Sequence, residues 1–335
     1  MAEAQLEGTL RAGVEADDNP GRSTAAPEGF SAGARVFGEL HLAERPTRNL
    51  DLGVTARAGG RWNAGATDAT GGAAEASGRA RLWLTRSVDW RVRGSWRERA
   101  ERSGDRDYRL LVAATGPGAW IGEHHATLEG GVERFVFHPQ PDASSTGGMA
   151  RGALRLRLAE SLVLPVEGSV RSRATREEAL GGPTVPGEEP GGLSEDASDR
   201  RRDLMLGVGA GLEWEATRAL LEVRWRYAHN DSTAFARSWR RHVVDASVTV
   251  LPVGELLVRG AVVVQRTRWP DRRLDDETIF LEDENRNQFS LTLEHPVAGP
   301  VFGEVRVTHH RQAFGADEVD DYRRTVLYGG LAWWF

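Results

Sequence analysis

Read in steps of two, the chain repeats one pattern from end to end. Near its start Leu6, Gly8, Leu10, Ala12, Val14 and Ala16 share one parity, while Gln5, Glu7, Thr9, Arg11 and Glu15 share the other. A strand sends successive side chains to opposite faces, so this segment is a strand with one apolar and one charged side. Leu50, Leu52, Val54, Ala56 and Ala58 stand in the same way against Asp51, Thr55, Arg57 and Arg61. Leu154, Leu156 and Leu158 alternate with Arg151, Arg155 and Arg157. Later copies carry Leu204 to Leu212, Leu221 to Tyr227, Val244 to Val250 and Val301 to Val307, each in steps of two. Helical spacing fits none of these segments.

The copies predict about sixteen strands, each near the ~9–11 residues that a tilted membrane-spanning strand needs. They fall near 4–16, 29–42, 49–62, 73–85, 88–98, 107–116, 121–137, 148–158, 162–173, 202–214, 218–228, 241–251, 255–267, 287–295, 300–311 and 322–335. Fourteen or eighteen strands follow if one weak pair is miscounted. The connections alternate as well. Long polar links at 17–28, 63–72, 138–147, 174–201, 229–240, 268–286 and 312–321 interleave with short turns. Those turns include 44–48, Arg86-Ser87, Pro117-Gly118, Ala159-Glu160-Ser161, Ala216-Thr217, Pro252-Val253-Gly254 and Val297-Ala298-Gly299, and only the link at 99–106 is of middling length. Long links at one end and tight turns at the other define an up-and-down antiparallel barrel, all-β, formed by residues 1–335 as a single transmembrane domain.

A soluble sandwich alternates too, but three features separate the readings. Arg and Glu recur at consecutive same-face positions on nearly every strand. Trp62, Trp90, Trp120, Trp214, Trp269, Tyr322 and Trp333 cluster near strand ends, as interfacial girdles do. The apolar face is rich in Ala and Gly and nearly free of charge at strand centres. No apolar run approaches the ~18–20 residues of a membrane helix. The absence of cysteine removes disulfide scaffolds, thiolate metal sites and thiol catalysis. With a net charge of -6 the chain has no general pull toward nucleic acid. All 43 basic residues are Arg, a bias attributed to GC-rich coding.

At the C-terminus Leu327, Gly329, Leu331, Trp333 and Phe335 alternate onto one face, and the last residue is aromatic. This resembles the terminal assembly signal of bacterial outer-membrane β-barrel proteins of the porin-like kind, although no motif points to one family among them. The resemblance implies a place in the outer membrane, with both termini periplasmic and the long loops outside. It implies as partners outer-membrane lipid, lipopolysaccharide and the barrel assembly machinery that reads the last strand. Met1 to Gln5 show no basic and apolar export signal. The expectation is a mature form or a barrel cut from a longer protein, with a periplasmic scaffold or export partner possible upstream.

Lipid outside puts the Arg/Glu face inside, and about sixteen strands enclose a lumen too wide for side chains to fill. The pore-lining arginines expected to meet anions are Arg57, Arg61, Arg79, Arg81, Arg91, Arg93, Arg97, Arg109, Arg151, Arg155, Arg157 and Arg171. Of these Arg79, Arg81, Arg91 and Arg93 are expected to form the constriction, because adjacent strands stack them at similar depth. Such a wall concentrates anions, and guanidinium pairs two-pronged with carboxylate, phosphate or sulfate. The competing reading is that these arginines pair with luminal Glu and Asp across strands and brace the wall. The acidic loops at 174–201 and 268–286 are read as solvated surface, with 275–284 the better candidate for folding inward. His124-His125 and His309-His310 point to opposite faces within a strand, which is poor metal geometry. Gly207, Gly209 and Gly211 lack the helix of a phosphate loop and read as luminal positions of close approach. No catalytic spacing stands out, so the expectation is no enzyme, no metal and no cofactor. The leading function is a diffusion channel for small hydrophilic, preferably anionic, solutes. An export pore for an acidic exopolysaccharide comes next, and a surface anchor or adhesin barrel is the reading outside transport.

Overall fold

The computed structural model describes all residues except 1–3, 20–29, 66–69, 105–106, 140, 179–199, 234–237, 269–286 and 313–321. Sixteen strands follow one another: β1 Ala4–Asp17, β2 Ser31–Thr47, β3 Leu50–Asn63, β4 Gly71–Trp83, β5 Val88–Glu101, β6 Tyr108–Ile121, β7 His124–Phe137 and β8 Ser145–Ala159. The second half is β9 Leu162–Glu178, β10 Arg200–Ala216, β11 Ala219–Ser232, β12 Trp239–Val250, β13 Leu257–Arg268, β14 Asn287–Ala298, β15 Val301–Gln312 and β16 Tyr322–Trp334. Each pairs antiparallel with its sequence neighbours, and β1 closes on β16, so the sheet is a closed barrel. Sixteen is the number that the alternation predicts.

Closure satisfies the backbone of every spanning segment, the condition for crossing hydrocarbon without a free edge. β1 begins and β16 ends at the rim of the tight turns. Gly122, Gly254 and Gly299, with φ of 62°, 55° and 51°, sit in three of those turns and supply the left-handed backbone they need. The outer surface is an almost unbroken apolar belt, in which Leu10, Val14, Leu40, Val54, Val92, Val132, Leu206, Val248, Val305 and Leu331 are all exposed. Trp62, Trp90, Trp214 and Trp333 flank that belt as expected. Among the described residues no helix is long and apolar enough to cross a membrane; the strands cross it instead. Leu327, Gly329, Leu331, Trp333 and Phe335 share the outward face of the last strand, which pairs β1 on one side and β15 on the other.

β6 departs from expectation in two places. The turn anticipated at Pro117-Gly118 lies inside the strand, which runs on to Ile121 and turns at Gly122-Glu123. Gly116 and Pro117 fall in a gap in the ladder to β7, between Thr115↔Gly130 and Gly118↔Thr127, so the proline costs no bond there. Trp120, expected in the outer girdle, instead stands opposite His125, with ring centroids 4.6 Å apart. Trp269 lies outside the described residues, as do most of the loop at 174–201, nearly all of 268–286 and its inward candidate 275–284.

Candidate functional site: the arginine wall of the lumen

β2 to β5 build the most basic stretch of the interior. By register their inward positions include Arg35, Arg45, Arg57, Arg61, Arg79, Arg81, Arg91, Arg93, Arg97 and Arg99 against Glu39, Asp51, Glu75, Asp89 and Glu101. Arg79 stands directly opposite Arg93, and Arg81 directly opposite Arg91. The similar depth inferred from sequence for these four is therefore a direct cross-strand register. They lie in the half of the barrel nearer the tight turns. With Arg45, Asp51 and Glu129 they border a cavity of about 580 Å³.

Carboxylates answer most of this charge. Asp89, fully buried, holds Arg81 at 2.7 Å and Arg91 at 2.6 Å, while Glu129 holds Arg93 at 2.7 Å. Arg91 also meets His125 at 2.6 Å, and the Arg81 guanidinium lies 3.8 Å over the Trp83 ring. Arg79 is exposed to the lumen and makes no ion pair among the described residues; opposite it Gly53 leaves the space its guanidinium occupies. Elsewhere Arg57 pairs with Glu39, Arg97 with Glu75, Arg151 with Glu167, Arg155 with Glu213 and Arg157 with Glu123. Arg171 reaches Glu133 at 3.9 Å, and Arg61 reaches Glu15 and Asp17 at 3.6 and 3.5 Å. The bracing anticipated as the competing reading is thus present around most of the wall.

Many of these pairs skip a strand. Arg93 on β5 reaches Glu129 on β7, Arg173 on β9 reaches Glu133 on β7, and Arg61 on β3 reaches Asp17 on β1. The skipped strand then presents small inward residues: Ala114, Gly116 and Gly118 on β6, Gly147 on β8 and Gly33 on β2. A side chain at Gly33 would run into Asn63 and Glu15, so glycine is what lets the neighbours meet above it. Gly209 and Gly211 act similarly beside Glu167, Arg224 and Arg226, in line with their reading as luminal positions of close approach.

Arg109 is not a lumen residue. The register sets Leu110 opposite inward Arg97 and puts Arg109 on the outer face opposite Glu98, where the two form a 3.0 Å pair. Charge alone suggested the lumen for it, but the strand's parity decides. His124 and His125 do face opposite sides, and so do His309, against Thr325, and His310, on the luminal side. Among the described residues no group of three or more His, Asp or Glu is placed to hold a metal ion.

Sequence reasoning missed the network at the loop end of the closing seam. Asp17, with no exposed surface, takes Arg324 through bonds of 3.0, 3.0 and 2.5 Å, while Glu15 lies 3.5 Å from Arg35. Arg35 and Arg324, with Arg11, Arg57, Arg97, Arg306 and Tyr328, border a second luminal cavity of about 660 Å³. The sequence signal was only the inward parity of Glu15, Asp17 and Arg324 on the first and last strands.

A closed sixteen-stranded barrel with an apolar outer belt and a charged interior defines a transmembrane β-barrel of the bacterial outer membrane, and this chain is one. No family model and no curated protein matches it. Solved structures do resemble it in architecture. One is described as a bacterial polysaccharide outer membrane secretin, with 10% identity over 98% of each chain and a TM-score of 0.47. Another is the outer-membrane expressed OmpT of Vibrio cholerae, with 10% identity, 100% of this chain and 98% of that one, and a TM-score of 0.47. A mutant of the TodX monoaromatic hydrocarbon channel aligns at 8% identity over 99% and 89%, with a TM-score of 0.43.

Proposed function

We propose that the barrel is an outer-membrane channel for small hydrophilic solutes, with a preference for anions set on β4 and β5. The observation that carries this reading is the opposition of Arg79 to Arg93 and of Arg81 to Arg91. Like charges directly opposite on a sheet destabilise it, and here Asp89 and Glu129 supply two negative charges for four positive ones. The remainder is left to the solvent of the lumen, where low-dielectric walls focus its field and draw in anions. The test is the reversal potential of the refolded protein in a planar bilayer under a KCl gradient. A chloride-selective channel is expected, losing most of its preference when these four arginines are changed to Ser. Unchanged selectivity in the quadruple variant sinks the assignment, and a barrel that never conducts sinks the channel.

A second reading has its own observation. Arg91, Arg93, Ser95, Arg97 and Arg99 occupy successive inward positions of β5, and alternate residues of a strand stand about 6.8 Å apart. Four cations in file along most of the wall suit a linear acidic polymer as well as single ions, and export of such a polymer is the alternative function. Long, voltage-dependent current blocks by an oligouronate, absent with a neutral oligosaccharide of equal length, separate the two.

A further inference from the structure

Lipid-facing charge is costly within the hydrocarbon and tolerated only where a long side chain reaches the interface. On this barrel outward arginines sit near the loop ends of several strands, Arg134 on β7 and Arg202 on β10 among them, and between β12 and β16 they stand in directly opposed pairs. Arg240 on β12 stands directly opposite Arg268 on β13, and Arg266 lies one outward position below, opposite His242. Arg311 on β15 likewise stands directly opposite Arg323 on β16. All five arginines are exposed, and none makes an ion pair among the described residues. The outward arginine on β6 behaves differently: Arg109 has Glu98 beside it.

Two guanidinium groups on directly opposed residues start from Cβ atoms about 5 Å apart, a repulsive pairing in isolation. A phosphate between them reverses the sign, because each guanidinium offers paired N–H donors to its oxygens. What lies beneath completes the argument. Below Arg240 and beside Arg266 the outward surface turns aromatic and then aliphatic: His242 packs on Tyr227 with centroids 4.8 Å apart, and Val244 and Val264 continue the belt downward. Anion-binding groups above a ring and a greasy wall below match a ligand with a phosphate head and acyl tails.

We infer that the rim of β12 and β13 is a binding site for a phosphorylated glycolipid of the outer leaflet, with Arg240 and Arg268 clamping one phosphate and Arg266 meeting the same headgroup from below. Arg311 and Arg323 form a second, simpler clamp two strands away. The site is on the outside of the barrel and owes nothing to the channel reading.

The experiment is a titration of the refolded full-length protein in detergent, followed by native mass spectrometry. The probes are bisphosphorylated lipid A, the same lipid with its phosphates removed, and inorganic phosphate. The phosphorylated lipid is expected to bind at least about tenfold more tightly than the dephosphorylated one, a loss of the size that missing charge-assisted hydrogen bonds produce. The double variant R240Q/R268Q loses that advantage, R240K/R268K keeps most of it, and R109Q leaves it unchanged. Equal binding of the two lipids by the unaltered protein overturns the proposal without recourse to any variant. So does full competition by inorganic phosphate, which places the affinity in the anion alone. Lipid-independent self-association that disappears in R240Q/R268Q reassigns the patch to a protein contact and also overturns it.

Discussion

Asp17 shows how much of the wall depends on single charges. It is fully buried, fixed two-pronged by Arg324 and approached by Arg61 at 3.5 Å. Removing one partner of a buried pair leaves the other uncompensated, which costs about 3–5 kcal/mol. Asp17→Asn is therefore expected to lower the resistance of the folded barrel to urea and heat, read as a shift in the heat-modifiable gel band. Glu98→Gln, which breaks a part-exposed surface pair with Arg109, should leave that band where it is. The inward parity of Asp17 and Arg324 was legible in the sequence. Their meeting was not, because it needs closure between residues 307 positions apart. Nor does alternation within a strand reveal that Arg61 reaches past β2, since that depends on Gly33 leaving room.

Among the elements, β6 concentrates what was misread, and one cause explains it. Its inward residues Val112, Ala114, Gly116 and Gly118 are small because Arg91 and Arg93 pass over them to His125 and Glu129. Both faces are then apolar, and a strand without contrast has no readable phase, so Arg109, Trp120 and the Pro117-Gly118 turn all went astray. The other strands keep a charged face and were placed to within a few residues. The seam between first and last strands carries a different device. Gly8 and Phe335 exchange backbone bonds of 2.8 and 3.1 Å, and the Phe335 ring occupies the space a side chain at Gly8 would need. Gly8→Val should overpack the seam, at a cost of about 1–3 kcal/mol, and Phe335→Ala in the same chain should recover part of it. Equal losses from Phe335→Ala in either background would refute the seat. Ladder length makes a separate prediction. β13 and β14 share seven residue pairs, β1 and β2 fourteen. Hydrogen exchange should open the former seam first, at amides near Ser290 and Leu291.

Across the whole molecule, charge is sorted by place. The chain is net acidic at -6, yet its β2 to β5 interior carries ten arginines against five carboxylates. The stretches 179–199, 269–286 and 313–321 hold runs such as Glu188-Glu189, Asp275-Asp276-Glu277 and Asp320-Asp321. Averaging over the sequence conceals a basic passage within an acidic protein, and only the barrel topology separates the two. Selectivity that arises from the field of this passage should fade with salt, because the screening length falls from about 10 Å at 0.1 M to about 3 Å at 1 M. Reversal potentials at a fixed concentration ratio but rising mean salt would show it; a ratio that held constant would point to direct coordination instead.

If the barrel conducts as proposed, the facing arginines of β4 and β5 also tie permeation to endurance. Asp89 and Glu129 leave part of the charge of these four arginines unanswered, an anion held between them in the proposed channel would answer the rest, and whatever binds the folded form alone raises its stability. The traffic through the proposed channel would then be part of its scaffolding. Unfolding in citrate should require more heat than unfolding in chloride at equal ionic strength, and the difference should vanish once Arg79, Arg81, Arg91 and Arg93 are gone.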